Sequence, residues 1–304
     1  LSDIKIWHPV LRTYLFGLIF VFYVPKLIIA LFLFISDIFR FIKFTNAFIF
    51  NRAKFHQKFP NKRWKPIVIS GYIIGIFTFI VLIWGMISEE FDFEVKDIDI
   101  EFSNLPASFD SLKIVQISDI HIGSWYGHKP LDNAIDKINE LNPDIVFFTG
   151  DMVNFSSQEA LIYKENLKKI SAPLGVFAIL GNHDYGDYSK WKDQKEKEAN
   201  MQILFDFYKE IGWNLLRNEG IKLAKGKDTI QIIGVENWGK NPRFPQKGDI
   251  KLATSNLDST KFSILLSHDP THWQYIISKE YPKINLTLSG HTHAMQMGIE
   301  HDNF

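Results

Sequence analysis

The chain has 304 residues, is 46% hydrophobic and 22% charged, and contains no cysteine. This composition excludes a collagen, a disulfide-stapled miniprotein and a disordered tail. The lack of thiols also excludes cysteine nucleophiles, cysteine zinc fingers and iron–sulfur clusters. The net charge of zero hides an asymmetry, because residues 1–87 hold 11 Lys and Arg against 2 Asp and Glu. A basic front third joined to an acidic remainder predicts a membrane part followed by a soluble part.

Two apolar segments in the first 90 residues predict transmembrane helices. Residues 67–87 contain no charged side chain. A helix of this length is about 31 Å long, which matches the hydrocarbon core of a bilayer. Residues 13–35 form the other candidate span, which Pro25 and Lys26 interrupt. We therefore expect a membrane region with two transmembrane helices over residues 1–90.

The loop between these segments predicts the orientation of the protein. Residues 37–66 carry eight Lys and Arg and a single acid, whereas residues 88–101 carry seven acids and one Lys. The positive-inside rule places the basic loop in the cytoplasm and the soluble part outside it. The two flanking spans account for the basic loop, so no nucleic-acid partner is expected.

Apolar runs alternate with helical patterns after residue 91, which predicts an α/β domain over residues 91–304. Strands are predicted over residues 95–102, 112–118, 144–149, 175–180, 229–235, 261–267 and 284–289. Helices are predicted over residues 131–141, 158–170, 188–210 and 271–280.

Five of the buried strands are followed directly by Asp, Asn or His. These ends are Asp119 with His121, Gly150-Asp151, Gly181-Asn182-His183-Asp184, His268-Asp269 and Gly290-His291-Thr292-His293. In α/β sheets, ligands gather beyond the carboxyl ends of the strands. A single histidine at a strand end is usually structural, but five such ends in succession predict one shared site.

The residue types at these ends favour a pair of transition-metal ions. Imidazole nitrogen together with carboxylate oxygen suits Mn, Fe or Zn better than Ca or Mg. Two divalent ions can hold both oxygens of an in-line phosphoryl displacement, and metal-bound water loses its proton near neutral pH. One carboxylate has to bridge the two ions, and Asp151 is central in the chain order.

These motifs, taken together over about residues 110–296, resemble those of the calcineurin-like metallophosphoesterases. The apolar front end resembles the membrane-anchored branch of that superfamily. The resemblance implies a calcineurin-like α/β/β/α sandwich of two sheets flanked by helices, preceded by the transmembrane helices. Because the family normally continues with closing strands, the sequence is expected to be truncated at its C-terminus.

The resemblance also assigns roles to residues. It implies one metal between Asp119, His121, Asp151 and His293, and a second between Asp151, Asn182, His268 and His291. It further implies that His183 gives a proton to the leaving oxygen and that Asp184 orients His183.

We therefore expect a membrane-anchored dinuclear-metal phosphoesterase that hydrolyses phosphate ester or pyrophosphate bonds by metal-hydroxide attack on a phosphorylated small molecule or lipid. A sharper alternative is a lipid enzyme that cleaves the pyrophosphate of UDP-2,3-diacylglucosamine, which fits the anchoring but conflicts with the predicted orientation. A non-catalytic metal-binding scaffold is a third reading, although it would be expected to lose His183 or a ligand. A transporter with a regulatory soluble domain has little support. The oligomeric state and the metal identity stay open.

Three further groups of residues are candidates for either a structural or a functional role. His128 follows the first motif, Tyr185 and Tyr188 follow the third, and Glu236 to Trp238 follow the strand over residues 229–235. Each could contact a substrate, although a surface-loop position is expected for His128, and packing on the core explains Tyr185 and Tyr188 equally well.

Overall fold

The computed structural model describes residues 9–50, 62–88, 91 and 93–293. The chain divides into two compact units, Leu1–Lys96 and Asp97–Phe304. The middle of the predicted basic loop, residues 51–61, lies outside the described residues. So do residues 294–304, where the truncated end of the soluble domain was expected.

The first unit contains two long apolar helices, α1 (Pro9–Phe50) and α2 (Lys65–Ser88). Helix α1 passes through Pro25 and ends 15 residues after the predicted end at residue 35, since no Gly or Pro interrupts residues 36–50. The described candidate spans are Leu15–Phe50 and Lys65–Met86. Most of their large side chains are exposed, which suits lipid contact rather than a soluble core.

Two glycines and one Arg–Asp ion pair hold α1 and α2 together. A Cβ at Gly71 would collide with Phe32, and a Cβ at Gly75 would collide with Ile29, so the two glycines allow close helix approach. At the loop end of the pair, Arg63 donates two hydrogen bonds to Asp37, at 3.0 and 2.8 Å. These contacts fix α2 as an antiparallel neighbour of α1.

The second unit begins without the predicted opening strand. Residues 93–103 form no strand, so that prediction was wrong. The apolar side chains at Val95, Ile98 and Ile100 are exposed. Alternation of apolar and acidic residues indicates a strand only where a neighbouring strand supplies hydrogen bonds, and this segment has none among the described residues.

The first sheet of the second unit is parallel, with strand order β1-β2-β3-β4. Its strands are β1 (Ile114–Ile117), β2 (Ile145–Phe148), β3 (Val176–Ala178) and β4 (Asn214–Leu215). The helices around it are α3 (Lys129–Glu140), α4 (Gln158–Leu161), α5 (Lys164–Leu167) and α6 (Gln194–Glu210). Two short helices thus replace the single helix predicted over residues 158–170.

The second sheet has strand order β5-β6-β7-β8, with an antiparallel β5–β6 hairpin and parallel β6–β7 and β7–β8 pairs. Its strands are β5 (Glu219–Lys225), β6 (Asp228–Gly234), β7 (Ser263–Leu266) and β8 (Leu286–Leu288). Helix α7 (Ile250–Thr254), a π-helical turn (Trp273–Ile277) and α8 (Ser278–Glu280) complete the unit.

The two sheets pack face to face. Alternate residues of β2 and β3, such as Phe147 and Phe177, lie in one apolar cluster with Ile232 of β6 and Ile264 of β7. The opposite face of the first sheet packs on α3 and α6, and the opposite face of the second packs on α7 and the π-helical turn. This confirms the expected calcineurin-like α/β/β/α layering.

Candidate metal centre

The carboxyl ends of strands from both sheets meet at one edge of the sandwich. Gln116 in β1 donates hydrogen bonds to the carbonyl oxygen of Ser289 after β8 (2.8 Å) and to the hydroxyl of Thr149 after β2 (3.1 Å). Nearby, the backbone N–H of His291 donates to both carboxylate oxygens of Asp119. The strand ends that the sequence singled out therefore lie together.

Four of the predicted ligands form a first group, Asp119, His121, Asp151 and His293, whose donor atoms all lie within 4.8 Å of one another. The Nε2 atoms of His121 and His293 are 3.2 Å apart. Nε2 of His121 is 3.6 Å from Oδ2 of Asp151, and Nε2 of His293 is 3.4 Å from Oδ1 of Asp119. Nitrogen and carboxylate donors thus converge on one small volume.

A second group contains Asp151 again, with His268 and His291. Nε2 of His268 lies 3.2 Å from Oδ2 of Asp151 and 3.3 Å from Nδ1 of His291. The predicted ligand Asn182 joins this group, because its Oδ1 is 3.2 Å from the same His268 nitrogen. The structure therefore brings all seven predicted ligands together, with Asp151 common to both groups.

The donor set fits two divalent cations. Nδ1 of His268 is 2.7 Å from the carbonyl oxygen of Thr149, which can only accept, so the proton sits on Nδ1 and Nε2 is left as a ligand atom. Imidazoles on two sides of a shared carboxylate are the mixed nitrogen and oxygen donors that Mn, Fe and Zn prefer. The first group would hold one cation and the second group, with Asn182, the other.

Five of the seven residues have a left-handed backbone. Their φ angles are 52° at Asp119, 44° at His121, 61° at Asp151, 74° at His291 and 51° at His293. Positive φ is uncommon for residues other than glycine and costs about 1–3 kcal/mol each. The backbone is therefore strained where the strands end, and this conformation directs these side chains inward.

Two glycines permit the close approach of the loops. Gly150 has a φ of 100°, and a Cβ there would lie 2.9 Å from Nδ1 of His268. A Cβ at Gly290 would collide with the side chains of Ser118 and Asp119. Because only glycine leaves this space empty, close packing explains why a glycine precedes Asp151 and His291 at the strand ends.

Burial and charge set the ionisation of the ligands. Burial opposes the charged form of His268, but the neighbouring Asp151 carboxylate outweighs it and raises the pKa of His268, so a cation that binds Nε2 would displace a proton there. Burial would raise the pKa of Asp151, yet His268 holds that pKa below its usual range. At His121 burial dominates and lowers the pKa to about 4, which leaves the neutral imidazole that metals bind.

The buried carboxylate of Asp184 supports the loop that carries Asp151. It accepts hydrogen bonds from the backbone N–H groups of Asp151 (3.0 Å), Met152 (2.8 Å), Val153 (3.2 Å) and Gly181 (2.9 Å). Burial and the Asp151 carboxylate raise the pKa of Asp184 to about 7, against the effect of these donors.

This arrangement differs from the expectation that Asp184 orients His183. Nδ1 of His183 lies 2.9 Å from the backbone carbonyl oxygen of Asn154, which fixes the ring instead. The sequence carries no signal for this contact, because a backbone carbonyl is present at every residue.

His183 lies beside the first ligand group and is packed by Tyr188. Its ring centroid is 4.7 Å from that of His121 and 4.3 Å from that of Tyr188, with the last pair stacked. The Tyr188 hydroxyl also accepts a hydrogen bond of 2.8 Å from Nδ2 of Asn182. Since the amide nitrogen is used in this way, Oδ1 of Asn182 points to His268. Tyr188 thus contacts the centre itself, where the sequence suggested a substrate or a packing role.

The other open candidates have structural partners. Nδ1 of His128 is 2.8 Å from Oδ1 of Asn166, and the buried Tyr185 accepts a hydrogen bond from the backbone N–H of Asn237. The buried Glu236 pairs with Arg217 at 2.8 Å, and Trp238 packs on His272 with ring centroids 5.0 Å apart. Ordinary packing accounts for all of them.

Comparison with known proteins agrees with this fold. A family model described as "Calcineurin-like phosphoesterase" matches residues 112–295. A second, described as "Probable Calcineurin-like phosphoesterase, transmembrane domain", matches residues 3–90.

Three relatives illustrate the similarity. The chain is 30% identical over 227 residues to a zebrafish (Danio rerio) transmembrane protein with metallophosphoesterase domain, covering 73% of this chain and 49% of that protein. It is 33% identical over 213 residues to the uncharacterized metallophosphoesterase YkuE of Bacillus subtilis, covering 68% and 66%. It is 31% identical over 243 residues to the UDP-2,3-diacylglucosamine pyrophosphatase LpxG of Chlamydia trachomatis, covering 66% and 70%.

The match thus spans about half of the zebrafish protein and just under two thirds of YkuE. The second family model and the two apolar helices make the chain a membrane protein. With a family model over more than half of its length, the chain belongs to the calcineurin-like phosphoesterase family.

Proposed function

We propose that this membrane metallophosphoesterase hydrolyses phosphate ester or pyrophosphate bonds with two divalent cations, Mn, Fe or Zn. The observation that carries the proposal is the position of Asp151. Its buried carboxylate belongs to both ligand groups, as a residue that bridges two cations must.

The seven convergent residues would hold the two cations, and the cations would bind the phosphate. Asp119, His121, Asp151 and His293 would hold one cation, and Asp151, Asn182, His268 and His291 the other. Bound divalent cations supply Lewis-acid polarisation of phosphoryl oxygens and make water more acidic. The protein's part is to fix this geometry, and the Asp184 hydrogen bonds hold the Asp151 loop in place for it.

His183 is the proton donor in this proposal. The carbonyl of Asn154 accepts from Nδ1, so in the doubly protonated ring Nε2 is the nitrogen left to give a proton to the departing oxygen. The stacked ring of Tyr188 restricts the imidazole to that orientation. Without such a donor, an alkoxide would have to leave unprotonated, which is slow.

A lipid pyrophosphate is the second candidate substrate. The similarity to LpxG, a UDP-2,3-diacylglucosamine pyrophosphatase, and the membrane helices both favour it. The basic loop favours a soluble unit outside the cytoplasm, where phosphorylated lipids or other envelope phosphates would be the substrates. A phosphorylated lipid or small molecule is therefore the proposed substrate class.

The test uses the purified full chain in detergent. Hydrolysis of a chromogenic phosphomonoester and phosphodiester is measured before chelation, after chelation, and after Mn or Zn is restored. We expect activity to disappear with the metals and to return with them. A protein that binds two metals per chain but hydrolyses neither ester, nor a pyrophosphate diester, would instead be a metal-binding scaffold.

A further inference from the structure

A cavity of about 500 Å³ opens beside the second ligand group. We call it the lateral cavity. It is lined by residues 240–244 of the loop after β6, residues 269–275 after β7, and His291 and Thr292 after β8. Its volume lies within the range of roughly 300–1,000 Å³ found for small-molecule sites.

The lateral cavity borders the metal centre at His291. His291 lines it, and Nδ1 of this residue is 3.3 Å from Nε2 of His268. On the cavity side, Nε2 of His291 is 3.7 Å from Oδ2 of Asp269, and the ring of Phe244 meets the imidazole edge-on at 4.9 Å. A phosphate held at the second ligand group would therefore have the lateral cavity as its neighbour.

Lys240 supplies a positive charge at this cavity. Its Nζ donates a hydrogen bond of 2.8 Å to the Tyr275 hydroxyl and lies 4.0 Å from the centroid of that ring. Within the part of the chain that the structure describes, no Asp or Glu forms an ion pair with Lys240. Tyr275 thus positions an ammonium group whose remaining N–H donors can bind an anion.

Most of the surface of the wall is apolar, although Asn241, Thr271, Gln274 and Thr292 also line it. Phe244, Pro242, Pro270 and the ring of Tyr275 line the lateral cavity. Asp269 also lines the cavity: its Oδ1 accepts hydrogen bonds from the backbone and hydroxyl of Thr271, and its Oδ2 faces Nε2 of His291. A lysine ammonium beside an apolar surface, with the nearby carboxylate directed to Thr271 and His291, is an arrangement that can bind an anionic group attached to a ring or a hydrocarbon chain.

We propose that the lateral cavity binds the part of the substrate beyond the hydrolysed bond, with Lys240 contacting a second phosphate there. The substrate class is then a pyrophosphate diester. A phosphomonoester has a single phosphate, which the metal centre would take, so Lys240 would have no anionic partner. In the reaction water adds to one phosphorus, the bridging P–O bond breaks, and two phosphomonoesters leave. This inference rests on the proposed function.

The test compares two substrates in the metal-loaded full chain. p-Nitrophenyl phosphate is the monoester, and a nucleoside diphosphate sugar is the pyrophosphate diester. Lys240→Met keeps an unbranched side chain of similar length but removes its charge, and we expect it to raise KM for the diphosphate sugar ~10-fold more than KM for the monoester. Lys240→Arg should recover most of this difference. Lys251→Met, at an exposed lysine of α7 outside the cavity, is the matched control.

Tyr275→Phe provides a second variant. It keeps the ring but removes the hydroxyl that Lys240 contacts, so KM for the diphosphate sugar should rise by a smaller factor. A ratio of the two KM values that Lys240→Met does not change, or that Lys251→Met changes equally, overturns the inference while the proposed function stands. A wild type that cleaves neither substrate overturns both.

Discussion

The carboxylate of Asp184 accepts a hydrogen bond of 3.0 Å from the backbone N–H of Asp151, the residue that the two ligand groups share. The adjacent N–H groups of Met152 and Val153 donate to the same side chain. Asp151 has a φ of 61°, so its backbone is held in an unfavourable conformation by these contacts. Asp184 is therefore a support for the metal centre.

Replacing Asp184 with Asn should weaken both the fold and the metal centre. The amide offers one acceptor oxygen, and its NH₂ group would face backbone N–H donors without a partner. We expect a loss of about 2–4 kcal/mol in the free energy of unfolding, with fewer bound metals per chain than in the wild type. Denaturant unfolding and elemental analysis measure the two quantities.

Asp187→Asn is the matched control for this substitution. Asp187 lies three residues further on and forms an ion pair with Lys197 at the surface. Exposed pairs contribute little, so we expect a change within about 0.5 kcal/mol. Wild-type stability and metal content in Asp184→Asn would contradict the supporting role.

His291 and His293 lie on the same turn but in different ligand groups. Each single substitution to alanine should therefore remove one metal per chain and leave the other. Asp151→Ala should remove both, because its carboxylate belongs to the two groups. Elemental analysis of protein dialysed against limiting Mn gives the stoichiometry.

His128→Ala serves as the control for these variants, since His128 is exposed and contacts Asn166. It should retain two metals per chain. If His291→Ala and His293→Ala each lost both metals, the two groups would not be separate sites. If neither lost any, these imidazoles would not be ligands.

His183→Ala should keep both metals. Its loss of turnover should be larger for esters whose leaving groups depart poorly. We expect kcat for alkyl phosphate esters to fall ~10²–10³-fold, since general acid catalysis contributes about that much. p-Nitrophenyl esters need little protonation and should be much less affected. A series of esters with leaving groups of graded pKa measures the slope. Equal rates for variant and wild type on alkyl esters would contradict the proton-donor role.

The positions of the seven convergent residues could be predicted because each follows an apolar strand. In parallel pairs the carboxyl ends meet at one edge, so chain order and strand polarity are enough to bring Asp119 and Asp151 together in the first sheet, and His268 and His291 together in the second. The two-sheet layering came from the resemblance, because alternation alone does not say which strands share a sheet.

Contacts that depend on three-dimensional packing could not be predicted in the same way. Which N–H groups Asp184 accepts, and which carbonyl fixes His183, depend on how loops from different strands approach each other. The prediction of a strand over residues 95–102 was wrong for a related reason, because an alternating pattern does not provide a partner strand. Lys240 and Tyr275 come together from a loop and a helical turn 35 residues apart.

His272 is a buried histidine next to the metal centre. It is 1% exposed, its Nδ1 is 2.8 Å from the Ser267 hydroxyl, and the ring of Trp238 covers it. Burial lowers its pKa to about 4, with Asp269 only partly opposing. The unfolded chain, in which a histidine has a pKa of about 6.5, therefore takes up a proton at a higher pH than the folded chain does.

The folded state should consequently lose stability as the pH falls from about 6.5 to about 4. Below about pH 4, His272 should cause no further loss in the free energy of unfolding. At pH 5 the contribution of His272 amounts to about 2 kcal/mol relative to pH 7.5. Urea unfolding of the chelated full chain in detergent, for wild type and His272→Gln at both pH values, isolates it, because the remaining histidines are common to both. The variant should be less stable at pH 7.5 but lose about 2 kcal/mol less on acidification. Equal losses in the two proteins would show that His272 does not stay neutral in the folded state.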